Sequence, residues 1–427
     1  MSHIDILKQK REQKPETKYK KFGLKYNPFP KSGTANINES TETTESLLPI
    51  DQEVLDGIVN YVGDSLYSND DSEDHKLIGT IIGDYGTGKT QLLLFAKSLI
   101  LNEPKKGYVI YINNPGTKLS ELIGSIIENI GQEQFKKYLW NQIIDAIKSS
   151  EDYKNILLSY LSQSGLFPNK NPFSPENEAN HRLFLDAFLG QINDRKKVKE
   201  FNDTLRDIII EILSKKNNDD AVIAKYFYDL ISEDFGVSKS WEALISGDGN
   251  YLDNKVVKLL NAIITIVKEQ GFERFYLLVD EFEDITSGRL TKKEQDNYTH
   301  NLRTLIDKER RWCLLIAMTS TALEDIASIS PPLYDRLTDR KISIKRLSNE
   351  QAYVLTSNYL KLAYENSSEE DNLTPFTIEG IDYINSMSGE LPRLFLRHIY
   401  YVLERAVDEL QEEGTISLDF IKNHLES

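Results

Sequence analysis

The eight residues GDYGTGKT, Gly83 to Thr90, lie between the apolar run KLIGTII and the run QLLLFA that opens an amphipathic segment. No other stretch constrains the chain as strongly. A buried strand that turns at once into a helix needs glycine, and the free N–H groups of the helix's first turn need an anion. The stretch fits the spacing G-x-x-x-x-G-K-[ST] without a mismatch, and the anion that fits it is a nucleotide phosphate. Gly83, Gly86 and Gly88 let the backbone wrap the phosphates, with Asp84, Tyr85 and Thr87 completing the loop. Lys89 reaches the β and γ oxygens, the Thr90 hydroxyl completes a magnesium shell, and Gln91 follows as the helix begins. A chance glycine-rich turn is the competing reading, and the strand-then-helix setting argues against it. The expected ligands are ATP and Mg2+.

At 427 residues the chain has room for two or three domains. The balance of 40% hydrophobic and 28% charged residues is that of a globular protein, and no apolar run reaches the eighteen or so residues of a membrane span. The start, MSHIDILKQKREQK, lacks the apolar core of a signal peptide, so a cytoplasmic protein with no membrane contact is expected. The single cysteine, Cys313, lies in an apolar run and reads as a buried, inert thiol. The six histidines are scattered without ligand spacing, which gives no structural zinc. Formal net charge is −16, yet residues 1–31 hold nine Lys or Arg against three acids. A basic arm on an acidic body suits a phosphate backbone or an acidic partner, and equally a solvated leader.

Apolar strands alternate with helical segments, which predicts an α/β protein with a parallel sheet and helices on both faces. Strands are expected at KLIGTII, GYVIYINN, RFYLLVDE, WCLLIAMTST and KISIKRL. The expected organisation is a basic N-terminal arm (1–31), the first part of the core (32–131), a helical insertion (132–250), the second part of the core (251–347) and a helical lid (348–427). Prolines in LFPNKNPFSPENE, 166–178, break the insertion and suggest two helical lobes. Ligands in such sheets bind beyond the C-terminal strand ends. There FYLLVDEFE ends in Asp280, expected to hold magnesium, and Glu281, expected to polarise an attacking water. The hydroxyl of Thr319, at the end of WCLLIAMTST, is placed to meet that water or the γ-phosphate.

This order of motifs resembles the AAA+ ATPases: a phosphate loop, an Asp-Glu strand, a polar sensor strand, an arginine-bearing segment and an all-helical lid. The resemblance implies a P-loop AAA+ core with a long helical insertion and a C-terminal all-α lid. It makes Arg336 in PPLYDRLTDR the arginine finger, with Arg340 as runner-up, and Arg393 in SGELPR the second sensor. FGLKYNPFP ahead of the core looks like the origin-recognition initiators, the transposition-regulator ATPases and related phage-defence ATPases, which implies adenine contacts from Asn27, Pro28 and Phe29. Initiators usually carry a winged-helix domain after the lid, which is not expected here, and need no segment as long as the insertion. WEALISGDGN followed by LLVDEFEDI is similar to ATP-binding proteins of bacterial phage-exclusion islands.

Three functions follow as expectations. The first is an ATP-driven switch that forms homo-oligomers and acts on DNA, through the basic arm, or on a DNA-associated partner in transposition, replication or phage defence. The second is a signal-sensing ATPase subunit working through protein contacts alone, with the insertion as its partner surface. A small-molecule kinase is the third, and it leaves the arginine and lid motifs unexplained.

Overall fold

The computed structural model describes residues 18–33, 51–67, 77–103, 105–161, 171–217, 220–232, 239–246, 255–309, 311–364, 373–410 and 414–426. The basic residues before Lys18, the acidic run 68–75, the start of the proline-rich segment and the GDGN of WEALISGDGN lie outside them.

Five parallel strands form the sheet: β1 (Leu77–Ile82), β2 (Gly107–Ile112), β3 (Arg274–Val279), β4 (Trp312–Met318) and β5 (Lys341–Ser343), in the spatial order β2-β3-β4-β1-β5. All five fall inside the runs read as strands, because strands covered on both faces must be apolar at nearly every position. The register pairs Leu77 with Cys313, Phe275 with Trp312 and Gly107 with Arg274. β1 and β4 therefore end together at Ile82 and Met318, β3 ends two residues earlier with Val279 beside Ile316, and Gly83, Asp280 and Thr319 follow directly beyond the three strands.

Side chains alternate across the sheet, so each strand serves two cores. Ile81, Tyr276, Leu278, Cys313 and Leu315 face helices α1 (Gln52–Tyr67) and α2 (Lys89–Leu101). Cys313 is fully buried there, and burial pushes its thiol up to about 12, which leaves it protonated and inert as expected. Ile78, Ile110, Phe275, Leu277, Leu314 and Ile316 face the opposite side, where α3 (Leu119–Ile130) and α10 (Val256–Lys268) lie against the sheet. The intervening helices are α4 (Gln132–Ser149), α5 (Glu151–Leu158), α6 (His181–Leu189), α7 (Arg195–Lys216), α8 (Ala221–Ser232) and α9 (Lys239–Ser246).

These six helices are the insertion, and they stack on α3 and α10 in one continuous apolar core with that face of the sheet. The two expected lobes are replaced by a single bundle. Phe135 of α4 meets Phe227 of α8 at 5.6 Å, and Phe188 of α6 stacks on Phe201 of α7 at 4.8 Å. So many fully buried rings need one shared interior, whatever the prolines do to the chain path.

After β4 come α12 (Ser320–Ile329) and α13 (Pro331–Leu337), while α11 (Lys292–Lys308) precedes β4 and packs against α13. The lid comprises α14 (Asn349–Ala363), α15 (Ile378–Met387), α16 (Pro392–Glu409) and α17 (Leu418–Leu425), with a core of its own. That core includes Tyr19, Phe22, Leu24 and Phe29. The described part of the N-terminal arm is thus a structural piece of the lid. Lys18 donates to Glu404 and Asp408 at 3.3 and 3.4 Å, and Lys21 donates to the carbonyls of Val407 and Leu410 at the end of α16. Cations there satisfy free carbonyls and complement the helix dipole.

A buried ion pair helps to fasten the insertion to the core, beside the bonds of Asn141 to Gln270 and Lys216 to Glu269. Asp220 is buried, caps α8 through the amides of Val222 and Ile223, and accepts from Lys255 at 2.7 Å and Lys258 at 3.1 Å beside α10. Burial opposes its charge, but the bonds from Lys255, Ile223 and Lys258 outweigh it and hold the carboxyl well below the usual range. Asp220→Asn is expected to lower stability by about 3 kcal/mol, measured by urea denaturation at neutral pH. Because the folded carboxyl is depressed, its contribution is full above its unfolded value of about 4 and fades as pH falls below it. The wild-type and variant curves should therefore converge in acid.

Candidate active site

Gly86 and Gly88, with φ of 80° and 101°, take the left-handed turns that carry β1 into α2. The first turn of α2 then starts at Lys89 and Thr90. A cavity of about 600 Å³ opens over this turn, bordered by Lys89, Thr90, Gln91, Asp280, Glu281 and Arg393 among others. Tyr85, Gly86, Gly88 and Gly33 also line it.

Lys89 is 7% exposed. Its Nζ donates to the carbonyls of Gly83 and Asp84 at 3.0 and 3.1 Å and lies 5.3 Å from the Tyr85 ring centroid. Burial lowers its pKa, against the pull of Glu283 and Asp280. Thr90 Oγ1 donates to Asp280 Oδ2 at 2.5 Å, and the Tyr111 hydroxyl donates to the same oxygen at 3.0 Å. Asp280 Oδ1 accepts from the Glu281 amide. Magnesium takes one or two carboxylates and completes its octahedron with water and phosphate oxygens. The hard oxygens of Thr90 and Asp280 fit such an ion, and no cluster of three or more acidic, histidine or cysteine ligands exists among the described residues.

Glu281 sits in a left-handed backbone conformation, φ 49° and ψ 36°, uncommon for a residue with a side chain. Glu281 is exposed and lines the cavity, and partial burial together with the Asp280 charge raises its pKa. Two residues on, Glu283 points inward: it is 6% exposed and lies 3.9 Å from Lys89 Nζ. Burial is again the first cause of its raised pKa. Thr87 Oγ1 donates to the Asp84 carbonyl, which braces the loop from within.

Thr319 is buried, and its hydroxyl caps α12 by accepting from the Ala322 amide. It borders a second cavity of about 480 Å³ shared with Asp84, Tyr85, Glu283 and Arg346. Arg393 lies at the start of α16, with its amide donating to the Gly86 carbonyl at 3.2 Å. Arg336 and Arg340 line neither cavity; they pair with Asp307 and Asp64 at 3.2 and 2.6 Å. Asn27 donates to Glu404, Phe29 packs between Tyr359 and Phe376, and neither these two nor Pro28 borders the cavity. From that segment it is Gly33 that reaches the site, with φ 72° and so close an approach that a Cβ would lie 2.1 Å from the Arg393 carbonyl oxygen.

Sequence reading missed Arg346 and Tyr111. Arg346 donates from Nε and Nη2 to the Asp84 carboxylate, at 3.2 and 3.0 Å, and from Nη1 to the Gly389 carbonyl of the lid loop. No local pattern marks such a residue, because its partners come from distant parts of the chain. The alternation along β2 gives a faint signal for Tyr111, which is the last but one residue of that strand.

A family model described as BREX system ATP-binding protein BrxC/D matches residues 70–412. No curated protein sequence matches the chain. Among solved structures, the Aeropyrum pernix ORC2 protein is similar in its ADPNP-ADP complexes at 12% identity and a TM-score of 0.42, over 88% of this chain and 67% of that one. Its ADP form is similar at 11% identity and a TM-score of 0.40, over 96% and 72%.

Arg346 and the Arg393 amide both tie the lid to the phosphate loop. Arg346→Ala removes a half-exposed ion pair, so the melting transition should move by less than about 1 kcal/mol in stability. Hydrogen exchange at the Arg393 amide is expected to speed up several-fold, on the order of the loss of one such restraint. Exchange that stays at the wild-type rate would assign the closure of the lid to its other contacts.

Proposed function

The chain belongs to the BREX system ATP-binding BrxC/D family, and from that premise we propose that it is a magnesium-dependent ATPase that works as a molecular switch. The observation that carries the reading is the meeting of Lys89, Thr90, Asp280 and Arg393 around one cavity, from three distant parts of the chain. The helix start and Lys89 take the β and γ phosphates, Thr90 and Asp280 hold the metal, and Arg393 brings the lid's positive charge to the γ end. The carboxylates beyond β3 orient water toward that phosphate. Magnesium, when bound, neutralises charge on the phosphate oxygens.

The switch acts in homo-oligomers on DNA or on a DNA-associated partner complex. Arg336 is the finger offered to a neighbouring subunit's nucleotide, which accords with its place on exposed α13 away from its own cavity. The alternative, action through protein contacts alone, is favoured by Lys18 and Lys21, whose charges are directed into the lid. The insertion is the surface offered to such a partner. It carries a cavity of about 710 Å³ lined by Lys136, Lys137, Trp140 and Arg182, well apart in sequence from the phosphate loop.

Lys89→Ala is expected to abolish ATP binding, read by calorimetry. Arg336→Ala should bind ATP but hydrolyse it roughly a thousandfold more slowly, since an arginine finger stabilises charge on the transferred phosphoryl group. Mixing the two variants should restore part of the activity, because one interface then keeps both intact halves. Turnover insensitive to Arg336 and to protein concentration would exclude action between subunits. Duplex DNA binding that weakens with rising salt would favour the DNA reading over the protein-only one.

A further inference from the structure

The carboxylate of Glu283 occupies an unusual place. It sits in the short turn after β3, with its side chain 7% exposed and Oε1 3.9 Å from Lys89 Nζ. Its Oε2 is buried and has no hydrogen-bond partner among the described residues. Neighbouring acids are better provided for. Asp84 is held by Arg346, Asp280 by Thr90 and Tyr111, and Asp284 by Arg289 and Asn114. Glu283 borders both the phosphate-loop cavity and the one shared with Thr319 and Arg346.

An imperfectly paired carboxylate is costly to keep in such a place. Lys89, the cation that phosphates require, is drawn back onto its own loop by the Gly83 and Asp84 carbonyls, with Glu283 as a buried negative charge facing it. We infer that Glu283 is a positioning residue that holds Lys89 in this resting place, so that an incoming nucleoside triphosphate must compete with the carboxylate for the lysine. The inference rests on the nucleotide-binding reading above.

Two anions then contest one cation, and the triphosphate adds its own charge close to a carboxylate that solvent screens poorly. Replacing the carboxylate by a neutral group of the same shape removes both the competition and the repulsion. Affinity for ATP therefore rises. A purely structural role predicts the opposite sign, since a disturbed loop binds phosphate less well.

The test is equilibrium binding of Mg-ATP and Mg-ADP to the full chain, with folding checked by circular dichroism. Glu283→Gln is expected to bind ATP about tenfold more tightly than the wild type, on the order of the loss of one poorly screened charge contact. ADP, which brings less charge to Lys89, should gain less. Glu283→Met, which removes the charge without burying an amide, should shift ATP affinity in the same direction as the Gln variant. Folded Glu283 variants that bind ATP no more tightly than the wild type would overturn the inference alone. Failure of both variants to fold would assign Glu283 a structural role and overturn it as well. A wild type that binds no ATP would overturn the nucleotide-binding reading and this inference together.

Discussion

The hydrogen bond from Thr90 to Asp280, 2.5 Å long, joins the first turn of α2 to the end of β3 across 190 positions of sequence. Everything at the site depends on those two groups arriving side by side. They do so because β1, β4 and β3 are consecutive in the sheet and end within two residues of one another, so residues beyond Ile82 and Val279 border one cavity. Tyr111 adds a third strand to the arrangement by bonding the same carboxylate from β2. A parallel sheet delivers this convergence without help from the loops, since its strand ends are fixed by the backbone ladder.

The same sheet order explains how the chain tolerates a long insertion. β2 and β3 are hydrogen-bonded neighbours, so the chain leaves and re-enters the sheet at adjacent positions. The six helices between them add a layer over α3 and α10 and leave the strand ends untouched. They remain within reach of the site through a short polar path: Asn114, just before α3, donates to Asp284, and Tyr298 of α11 donates to the Pro115 carbonyl. α3, which follows this corner, is packed against α4 and α9 of the insertion.

The lid is a separate apolar body, and its grip on the phosphate loop is polar. Arg346 and the Arg393 amide meet the loop at Asp84 and Gly86, and Gly33 packs closely on the Arg393 backbone. Polar contacts of this kind, few and partly exposed, bury less apolar area than the lid's own core. The described N-terminal segment, 18–33, belongs with the lid because Tyr19, Phe22, Leu24 and Phe29 are part of its core.

Much of this protein was legible from sequence wherever the determining physics is local. Five apolar runs read as strands because a two-face-buried strand has no freedom to be polar, and GDYGTGKT read as an anion loop because glycine, lysine and threonine at that spacing serve one geometry. The phage-exclusion resemblance of WEALISGDGN and LLVDEFEDI agrees with the BrxC/D family match. Tertiary structure alone decided the rest. It buried Glu283 beside Lys89 and left Glu281, two residues earlier, exposed, although the two lie in one short motif. It folded the Pro-broken insertion into one bundle, and it turned Lys18, Lys21, Asn27 and Phe29 toward the lid, where a sequence shows only a basic arm. Composition reports which groups can be charged or apolar, whereas the partner each one meets across hundreds of residues is set by which elements pack together.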